Sequence, residues 1–170
     1  MPIELPDMEP CVFCELIAGR REDWLVIEDS DTFVIMLTAN QFEVGQSLVI
    51  PKRHASTLMD LTPEEASLIV DAAQRLARAM VGALDPDGIT LYQNNGAWAG
   101  QAVPHFHLHV VPRRPGSNWG LGPPHLARFD SLERVAREQA PVSITDEKRK
   151  TVALLQQRLK PAQAMLQEST

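Results

Sequence analysis

Three histidines two residues apart carry most of the chemistry that this sequence offers. His105, His107 and His109 alternate with apolar residues in the run Pro104–Val111. Successive side chains of a strand point to opposite faces, so this spacing predicts a strand with all three imidazoles on one face. Each ring could be a metal ligand, a general acid or base, or a nucleophile near neutral pH. Taken alone, the row fits a metal site, a catalytic strand or an exposed polar sheet face.

A loop with small and amide side chains precedes the histidines. Residues 94–101 include Gly96 and Gly100 together with the amides of Asn94 and Gln101. Glycines let backbone N–H groups approach an anion, and the amides offer further hydrogen bonds. A loop of this composition beside a row of histidines favours a phosphate as the ligand.

The only two cysteines, Cys11 and Cys14, form a Cys-x-x-Cys pair near the N-terminus. We expect both to be reduced, because the sequence carries no recognisable export signal. Reduced cysteines at this spacing indicate metal binding or redox chemistry. A redox pair normally opens a helix after a strand in a βαβ unit, and the surrounding residues do not predict one.

The composition limits the class of protein. The chain has 170 residues, of which 44% are hydrophobic and 22% charged, and this is long enough for one domain with its own core. A formal net charge of -6 argues against a broad grip on a nucleic-acid backbone. The longest apolar stretches are too short to span a bilayer, so we expect a cytoplasmic protein without a membrane segment.

Strand patterns lie on both sides of one long helical pattern. They predict about five strands, at residues 24–28, 33–37, 46–50 and 89–93 and in the histidine run. Thr62 to Glu65 form a capping box with Pro63 at the first helical position, and they begin a helix expected to end near Leu84. We therefore predict an α+β fold, in which the long helix packs on an antiparallel sheet.

The sequence divides into three predicted parts. Residues 1–10 contain three prolines and no periodicity, which predicts an irregular lead. Residues 11–114 form the predicted domain. Residues 115–170 form a predicted C-terminal loop and helical extension, with helical patterns at Asp130–Glu138 and Thr145–Lys160.

Three sequence elements occur together within the predicted domain. They are the His-apolar-His-apolar-His-apolar-apolar motif at residues 105–111, the pattern Asn94-x-Gly96-x-x-x-Gly100-Gln101, and the segment Val49–His54. As a joint motif they resemble the histidine-triad (HIT) family of nucleotide hydrolases and transferases. The resemblance covers about Cys11 to Arg114. It implies a nucleotide substrate, expected to contain adenosine, and a homodimer.

The resemblance also implies separate roles within the triad. The middle histidine of the family is the nucleophile, so His107 is expected to attack the α-phosphorus of a nucleotide and to form a nucleotidyl-histidine intermediate. A neutral imidazole can do this at pH 7, and covalent catalysis splits one difficult displacement into two easier ones. His109, one pleat further along the same face, is expected to donate a hydrogen bond to a nonbridging phosphate oxygen.

Residues of the preceding loop are expected to complete the phosphate site. Asn94 and backbone N–H groups near Gly100 and Ala102 would share the charge that develops on the phosphate, and Gln101 would lie along the leaving group. The branch of the family with phosphoramidase activity usually has serine at the position of Ala102. This departure weakens the case for amine leaving groups.

Zinc-bearing, bacterial-type members of the family bind the ion with a defined set of ligands. The set consists of a Cys-x-x-Cys pair, a later histidine and the first triad histidine, which correspond here to Cys11, Cys14, His54 and His105. Two thiolates and two imidazoles are a common closed tetrahedral set, and a site without an open position is structural. The resemblance therefore implies one structural zinc ion.

The nucleoside site is expected around the second strand. In the family a carboxylate or amide often holds the ribose hydroxyls, and this chain has Thr38 at that position with Asn40 two residues on. Four apolar side chains are candidates for the base slot, although core packing also accounts for each: Phe13, Ile17, Ile35 and Leu37.

The predicted function is cleavage at the α-phosphate of a nucleoside phosphoanhydride or phosphoramidate, through a nucleotide bound covalently to His107. Two alternatives remain open. A noncatalytic nucleotide sensor would bind a nucleoside monophosphate without being labelled at His107. A catalytic metal held by the triad would need a carboxylate ligand nearby, and the sequence does not indicate one.

Overall fold

The chain forms a five-stranded antiparallel sheet with helical structure on both faces. A computed structural model describes residues 3–22, 24–38, 41–115 and 144–167. The strands are β1 Val26–Asp29, β2 Phe33–Leu37, β3 Ser47–Pro51, β4 Gly88–Tyr92 and β5 Leu108–Arg113. The helices of the described residues are α1 Val12–Ile17, α2 Pro63–Leu84 and α3 Asp146–Gln167, with 3₁₀ turns at Leu58–Asp60 and Ala97–Ala99.

The sheet has the order β1-β2-β3-β5-β4, and every neighbouring pair is antiparallel. The predicted α+β fold with about five strands is thereby confirmed. Strand β5 lies between β3 and β4, and His109 is paired with Leu48 on one side and Tyr92 on the other. Strand β5, which carries His109, is therefore an inner strand of the sheet, and β4 is an edge strand.

The long helix α2 occupies the predicted residues. Thr62 Oγ1 accepts the Glu65 N–H and the Glu65 carboxylate accepts the Thr62 N–H, which completes the capping box before Pro63. One face of the helix is buried against the sheet, at Ile69, Ala72, Ala73, Leu76 and Met80. The helix ends at Asp85, whose φ of 47° is left-handed.

Helix α3 belongs to the core on the α2 side of the sheet. Its side chains Val152, Leu155 and Leu159 are buried in the same cluster as α2 and β2 residues. The helix predicted from Thr145 begins at Asp146 and extends to Gln167. The helix predicted at Asp130–Glu138 lies outside the described residues, as does Asn40.

The two faces of the sheet carry different apolar clusters. The first, under α2 and α3, contains Phe33, Ile35 and Leu37 of β2. The second, under α1, contains Val34 and Met36 of the same strand. This alternation follows from the two-residue period of a strand, and it fixes which β2 side chains can reach each face.

Two element boundaries differ from the predictions. Strand β5 begins at Leu108, so His105 and His107 precede it instead of lying within it. The N–H groups of residues 105 and 106 donate to the carbonyls of Val103 and Ala55, which are not ladder partners in β3 or β4. The residues Glu15–Gly19 predict one helical turn or two with Gly19 as the stop, whereas helix α1 begins earlier, at Val12.

Candidate active site and metal centre

The three histidines share one face, although only one of them lies in a regular strand. Phe106 and Val110 are buried in the cluster under α2, which leaves the alternating histidines on the face that carries α1. His105, His107 and His109 are 0%, 6% and 3% exposed. An exposed polar sheet face is therefore excluded as the explanation of the row.

The ring of His107 is held by the backbone carbonyl of His105. Its Nδ1 lies 2.7 Å from the carbonyl oxygen of His105. Only a protonated ring nitrogen can donate to a carbonyl, so in the neutral ring the proton is on Nδ1 and the lone pair is on Nε2. Phe13 packs edge-on against the ring, with centroids 5.2 Å apart. The arrangement fixes both the tautomer and the direction of the ring.

His109 is contacted by a residue of the neighbouring strand β4 and by the residue that precedes β3. The ring of Tyr92 stacks on it, with centroids 4.0 Å apart and an interplanar angle of 8°. The side-chain nitrogen of Gln46, Nε2, lies 3.5 Å from His109 Nδ1, while the Gln46 oxygen accepts the Phe42 N–H at 2.9 Å. Because that N–H fixes the orientation of the amide, Gln46 is a donor to Nδ1 and the His109 proton belongs on Nε2.

Sequence reasoning did not identify Gln46 and Tyr92. Tyr92 lies on β4 and Gln46 directly precedes β3, and neither belongs to a motif with the histidines. Only the register of the sheet, which pairs Tyr92 with His109, brings the three side chains together. Only a correct prediction of the strand order and register could have identified these two residues from the sequence.

Four predicted metal ligands converge at the edge of this histidine row. The ligand atoms of Cys11, Cys14, His54 and His105 all lie within 4.8 Å of one another. Cys14 Sγ is 3.2 Å from His54 Nδ1 and 3.6 Å from His105 Nδ1, and Cys11 Sγ is 3.6 Å from the same nitrogen. Tetrahedral zinc with ordinary bond lengths separates sulfur from nitrogen by about 3.5 Å. The cluster can bind a metal ion of this size.

The surroundings of His105 support that use. Its Nε2 donates to the Pro51 carbonyl at 2.8 Å, which places the lone pair on Nδ1, the nitrogen that faces both thiols. Burial lowers the pKa of His105 to about 4, so the ring is neutral as a ligand must be. Burial also raises the pKa of Cys14 to about 11. A redox pair needs a thiol with a lowered pKa, so the redox reading of the pair is disfavoured.

Glycines shape the loop that precedes the triad. Gly96 and Gly100 have φ of 91° and 82°, a region that favours glycine. The Gln101 side chain, 1% exposed, accepts the Gly96 N–H and donates to the carbonyls of Ser56 and Val103. Three hydrogen bonds within the protein thus engage this amide. Its predicted place along a leaving group stays a prediction.

The predicted phosphate contacts of the loop differ in how they are engaged. Asn94 Nδ2 donates to the Gly100 carbonyl at 3.2 Å, and the Gly100 N–H donates to the Ala97 carbonyl at 2.9 Å. The N–H of the buried Ala102 meets no acceptor among the described residues. Of the two backbone N–H groups, that of Ala102 has hydrogen-bonding capacity left for a ligand, and Asn94 Nδ2 carries a second hydrogen besides the one directed at Gly100.

The base slot predicted from apolar residues is partly wrong. Ile35 and Leu37 lie in the cluster under α2, on the sheet face opposite the histidines. Their neighbours Val34 and Met36 occupy the histidine face. Phe13 lies on that face as predicted, and Ile17 packs beside it. The alternation of β2 shows that odd- and even-numbered residues lie on opposite faces, but it does not show which set faces the histidines. The structure places Val34 and Met36 there instead of Ile35 and Leu37.

Thr38 lies at the end of β2 and is 3% exposed. Its N–H donates to the Gln46 carbonyl, so the residue adjoins the side chain that holds His109. A contact between the Thr38 hydroxyl and a ribose stays a prediction. Asn40, its predicted companion, lies outside the described residues.

Comparison with known proteins identifies the family. The HIT domain family matches residues 20–116 of this chain. "Protein hit" of Bacillus subtilis (strain 168) is 38% identical over 114 residues, which cover 67% of this chain and 77% of that protein. Adenylylsulfatase HINT3 of Arabidopsis thaliana is 36% identical over 104 residues, which cover 61% of this chain and 52% of that protein.

A solved structure agrees with this result. The crystal structure of a Zn-bound histidine triad family protein from Mycobacterium smegmatis has a TM-score of 0.70 and 30% sequence identity, and the match covers 92% of this chain and 97% of that one. The chain belongs to the HIT family. Its cluster of two cysteines and two histidines fits a zinc-bearing member. Within the described parts of the chain, no helix has the length and apolar character needed to cross a membrane.

Proposed function

We propose that this protein is a nucleotide hydrolase or transferase that cleaves at the α-phosphate of a nucleoside phosphoanhydride or phosphoramidate. The observation that carries this proposal is the bond from His107 Nδ1 to the His105 carbonyl, because it leaves the lone pair on Nε2. Membership of the HIT family supports the choice of a nucleotide. A relative named as an adenylylsulfatase supports an adenosine nucleotide.

In the proposed first step, His107 Nε2 attacks the α-phosphorus. A nitrogen–phosphorus bond forms, the bond from phosphorus to the leaving group breaks, and its electron pair stays on the leaving atom. Water or another acceptor then attacks phosphorus and displaces Nε2, which regenerates the neutral ring. The attacking acceptor loses a proton to solvent, and the leaving group takes one up from solvent, so the overall reaction is balanced. Each step is an ordinary displacement, and the fixed direction of the imidazole lowers the entropic part of the barrier.

Two donors are proposed to neutralise charge on the phosphate oxygens. His109 carries its proton on Nε2 because Gln46 donates to Nδ1, so this ring can donate to a nonbridging oxygen. The Ala102 N–H is proposed as the second donor, with Asn94 and Gly100 setting the path of the loop around it. Preorganised donors of this kind are each worth about 3 kcal/mol in the transition state.

Zinc is the proposed metal of Cys11, Cys14, His54 and His105. The ion would have no open position, so its proposed task is to hold the N-terminal segment and the residues before β5 together. Purified protein should contain about one zinc per chain, and Cys14→Ser should lower both the zinc content and the midpoint of thermal unfolding. Zinc well below one per chain in the purified wild-type protein would refute the assignment.

We also propose a homodimer, a cytoplasmic location, and a division into a lead at 1–10, a HIT domain at 11–114 and an extension at 115–170. Within the described residues β4 pairs only with β5, and this supports the dimer because an edge strand can pair with a second copy. Leu91 of that strand is 53% exposed. Light scattering of the purified protein tests the proposed homodimer, and a monomer would refute it.

The triad variant His107→Asn tests the proposed catalytic role. Asparagine keeps a polar side chain that can contact the His105 carbonyl, but it cannot form a stable bond to phosphorus. Turnover of an adenosine phosphoramidate and of a dinucleoside polyphosphate should fall roughly a thousandfold or more. Binding of adenosine monophosphate, measured by calorimetry, should be largely retained.

Undiminished turnover by His107→Asn would refute the nucleophile. If the wild-type protein binds adenosine monophosphate but turns over none of a panel of phosphoanhydrides, phosphoramidates and nucleotide sugars, the protein is a nucleotide sensor. That panel at equal concentrations would also identify the leaving group.

A further inference from the structure

The N-terminal segment is bound to the loop that precedes the triad. We call residues 3–8 the N-terminal strap. The Glu4 carbonyl accepts the Ala97 N–H at 2.8 Å, and the Glu4 carboxylate accepts the indole N–H of Trp98 at 2.9 Å. One strap residue thus contacts two consecutive residues of the 94–101 loop through both its backbone and its side chain.

Close packing adds to these hydrogen bonds. A Cβ placed on Gly96 would lie 2.3 Å from Ile3 Cγ2 and 3.0 Å from the Glu4 carbonyl oxygen. The strap therefore passes so close to the loop that only glycine fits beneath it. At its other end, Met8 is buried in the apolar cluster of the histidine face. The strap is anchored at both ends.

Trp98 is otherwise nearly free of packing. Its side chain is 89% exposed, yet its polar atom is fixed by Glu4. A tryptophan this exposed contributes little to the core, so the bond to Glu4 is the main described contact that fixes its orientation. We call the hydrogen bond from the Trp98 indole to the Glu4 carboxylate the latch. It lies in the middle of the loop, between Asn94 and Gln101.

We propose that the N-terminal strap is a positioning element for the 94–101 loop, with Glu4 as its positioning residue. The strap holds Ala97 and Trp98 so that the following residues, up to the Ala102 N–H, present a fixed path to a phosphate. The mechanical part of this proposal concerns the loop alone. Its effect on ligand binding rests on the proposed function.

Electrostatics gives the opposite expectation and so makes the proposal testable. Glu4 is a carboxylate beside a loop proposed to bind an anion, and removing its charge should by itself strengthen anion binding. A positioning role predicts weaker binding after the same substitution. Glu4→Gln separates the two effects, because glutamine keeps an oxygen acceptor for the indole and loses the charge.

The experiment uses hydrogen exchange of the zinc-loaded full-length protein. In Glu4→Ala, amides of residues 96–101 should exchange roughly threefold to tenfold faster than in the wild type. Glu4→Gln should retain most of the protection. Asp7→Ala is the matched control, since Asp7 is an exposed strap acid without a hydrogen bond or ion pair among the described residues, and its loop should exchange as in the wild type.

A second pair of variants isolates the latch. Trp98→Phe keeps a large ring and loses the indole N–H, so it should accelerate loop exchange as much as Glu4→Ala. The double variant should be no faster than either single variant, because both remove the same bond. Unchanged loop exchange in Glu4→Ala, or additive effects in the double variant, would overturn the proposal that the strap holds the loop in place.

Ligand binding is measured separately with adenosine monophosphate. Its dissociation constant should rise about threefold to tenfold in Glu4→Ala. In Glu4→Gln, which keeps the acceptor and loses the charge, the dissociation constant should stay at or below the wild-type value. Faster loop exchange with unchanged or tighter nucleotide binding would overturn the positioning role. If no variant and not even the wild type bound the nucleotide, the proposed function would fail, while the exchange data would still decide whether the strap holds the loop.

Discussion

The three triad histidines differ in what their ring nitrogens contact. His105 donates to the Pro51 carbonyl and faces two thiols. His107 donates to the His105 carbonyl, and His109 Nδ1 accepts a hydrogen bond from the Gln46 amide. Tautomers follow from these contacts, with the lone pair on Nδ1 in His105 and on Nε2 in His107. Similar residues at regular spacing are thus prepared for different chemistry.

Gly96 offers a prediction at the scale of one residue. Its φ is 91° and the strap leaves no room for a Cβ, so Gly96→Ala should lower the free energy of unfolding by about 1–3 kcal/mol. Gly88→Ala is the matched control, because a Cβ there meets nothing within 4 Å and the φ is not left-handed. Urea titration measures both. Equal effects of the two substitutions would contradict the close approach of the strap.

At this scale the sequence predicted which residue types matter better than what they touch. The alternation of the triad and the four metal ligands follow from spacing and family resemblance, and the structure brings those ligands together. The sequence could not predict that the Gln101 amide is engaged by Gly96, Ser56 and Val103. Those partners depend on how three loops meet.

At the scale of elements, the start of α2 is tied to the metal-binding segment. Arg53, the neighbour of the candidate metal ligand His54, donates to both oxygens of the Glu65 carboxylate at 2.7 Å and 2.6 Å. The same carboxylate accepts the Thr62 N–H in the capping box. One side chain thus caps the helix and fixes the backbone beside a metal ligand.

This arrangement predicts a dependence on pH. Hydrogen bonds from Arg53 and Thr62 lower the pKa of Glu65 from 4.5 to about 2. Because the folded state binds this proton less readily than the unfolded chain, the contribution to stability is complete above pH 4.5 and is lost as the pH falls to about 2. Glu65→Gln should therefore be less stable than the wild type at pH 6, and the difference should shrink toward pH 2.

Urea unfolding at several pH values measures that difference. Glu64→Gln is the control, because Glu64 is an exposed acid of the same helical turn. If the proposed zinc ion is bound, its loss at low pH is expected in all three proteins and so cancels in the comparison. A difference between Glu65→Gln and the wild type that stayed constant from pH 6 to about 2 would contradict the role of the ion pair.

Elements with strong local signals were predicted well. Helix α2 has its capping box, its proline and its apolar stripe within its own residues, and both of its ends were correct. The start of β5 was not, because pairing with β3 reaches only Leu108 and a ladder is a property of two segments. The faces of β2 were likewise undetermined until α2 was placed on one side of the sheet.

At the scale of the whole molecule, the C-terminal helix closes the core. Leu155 of α3 is fully buried with α2 and β2 residues, whereas the adjacent Leu154 is 45% exposed. Leu155→Ala should lower the free energy of unfolding by about 2–4 kcal/mol, and Leu154→Ala should change it little. Equal effects in chemical denaturation would contradict the packing of α3 and favour an independent extension.

The central claim is that His107 becomes covalently bound to the nucleotide. The most direct test mixes the protein with an adenosine phosphoramidate, stops the reaction with denaturant within the first turnovers, and measures the intact mass. The expected result is a mass increase of one adenylyl group, that is adenosine monophosphate less one water, mapped by peptide fragmentation to His107 and absent from His107→Asn. Turnover without an adduct on His107, or an adduct that persists in His107→Asn, would contradict it.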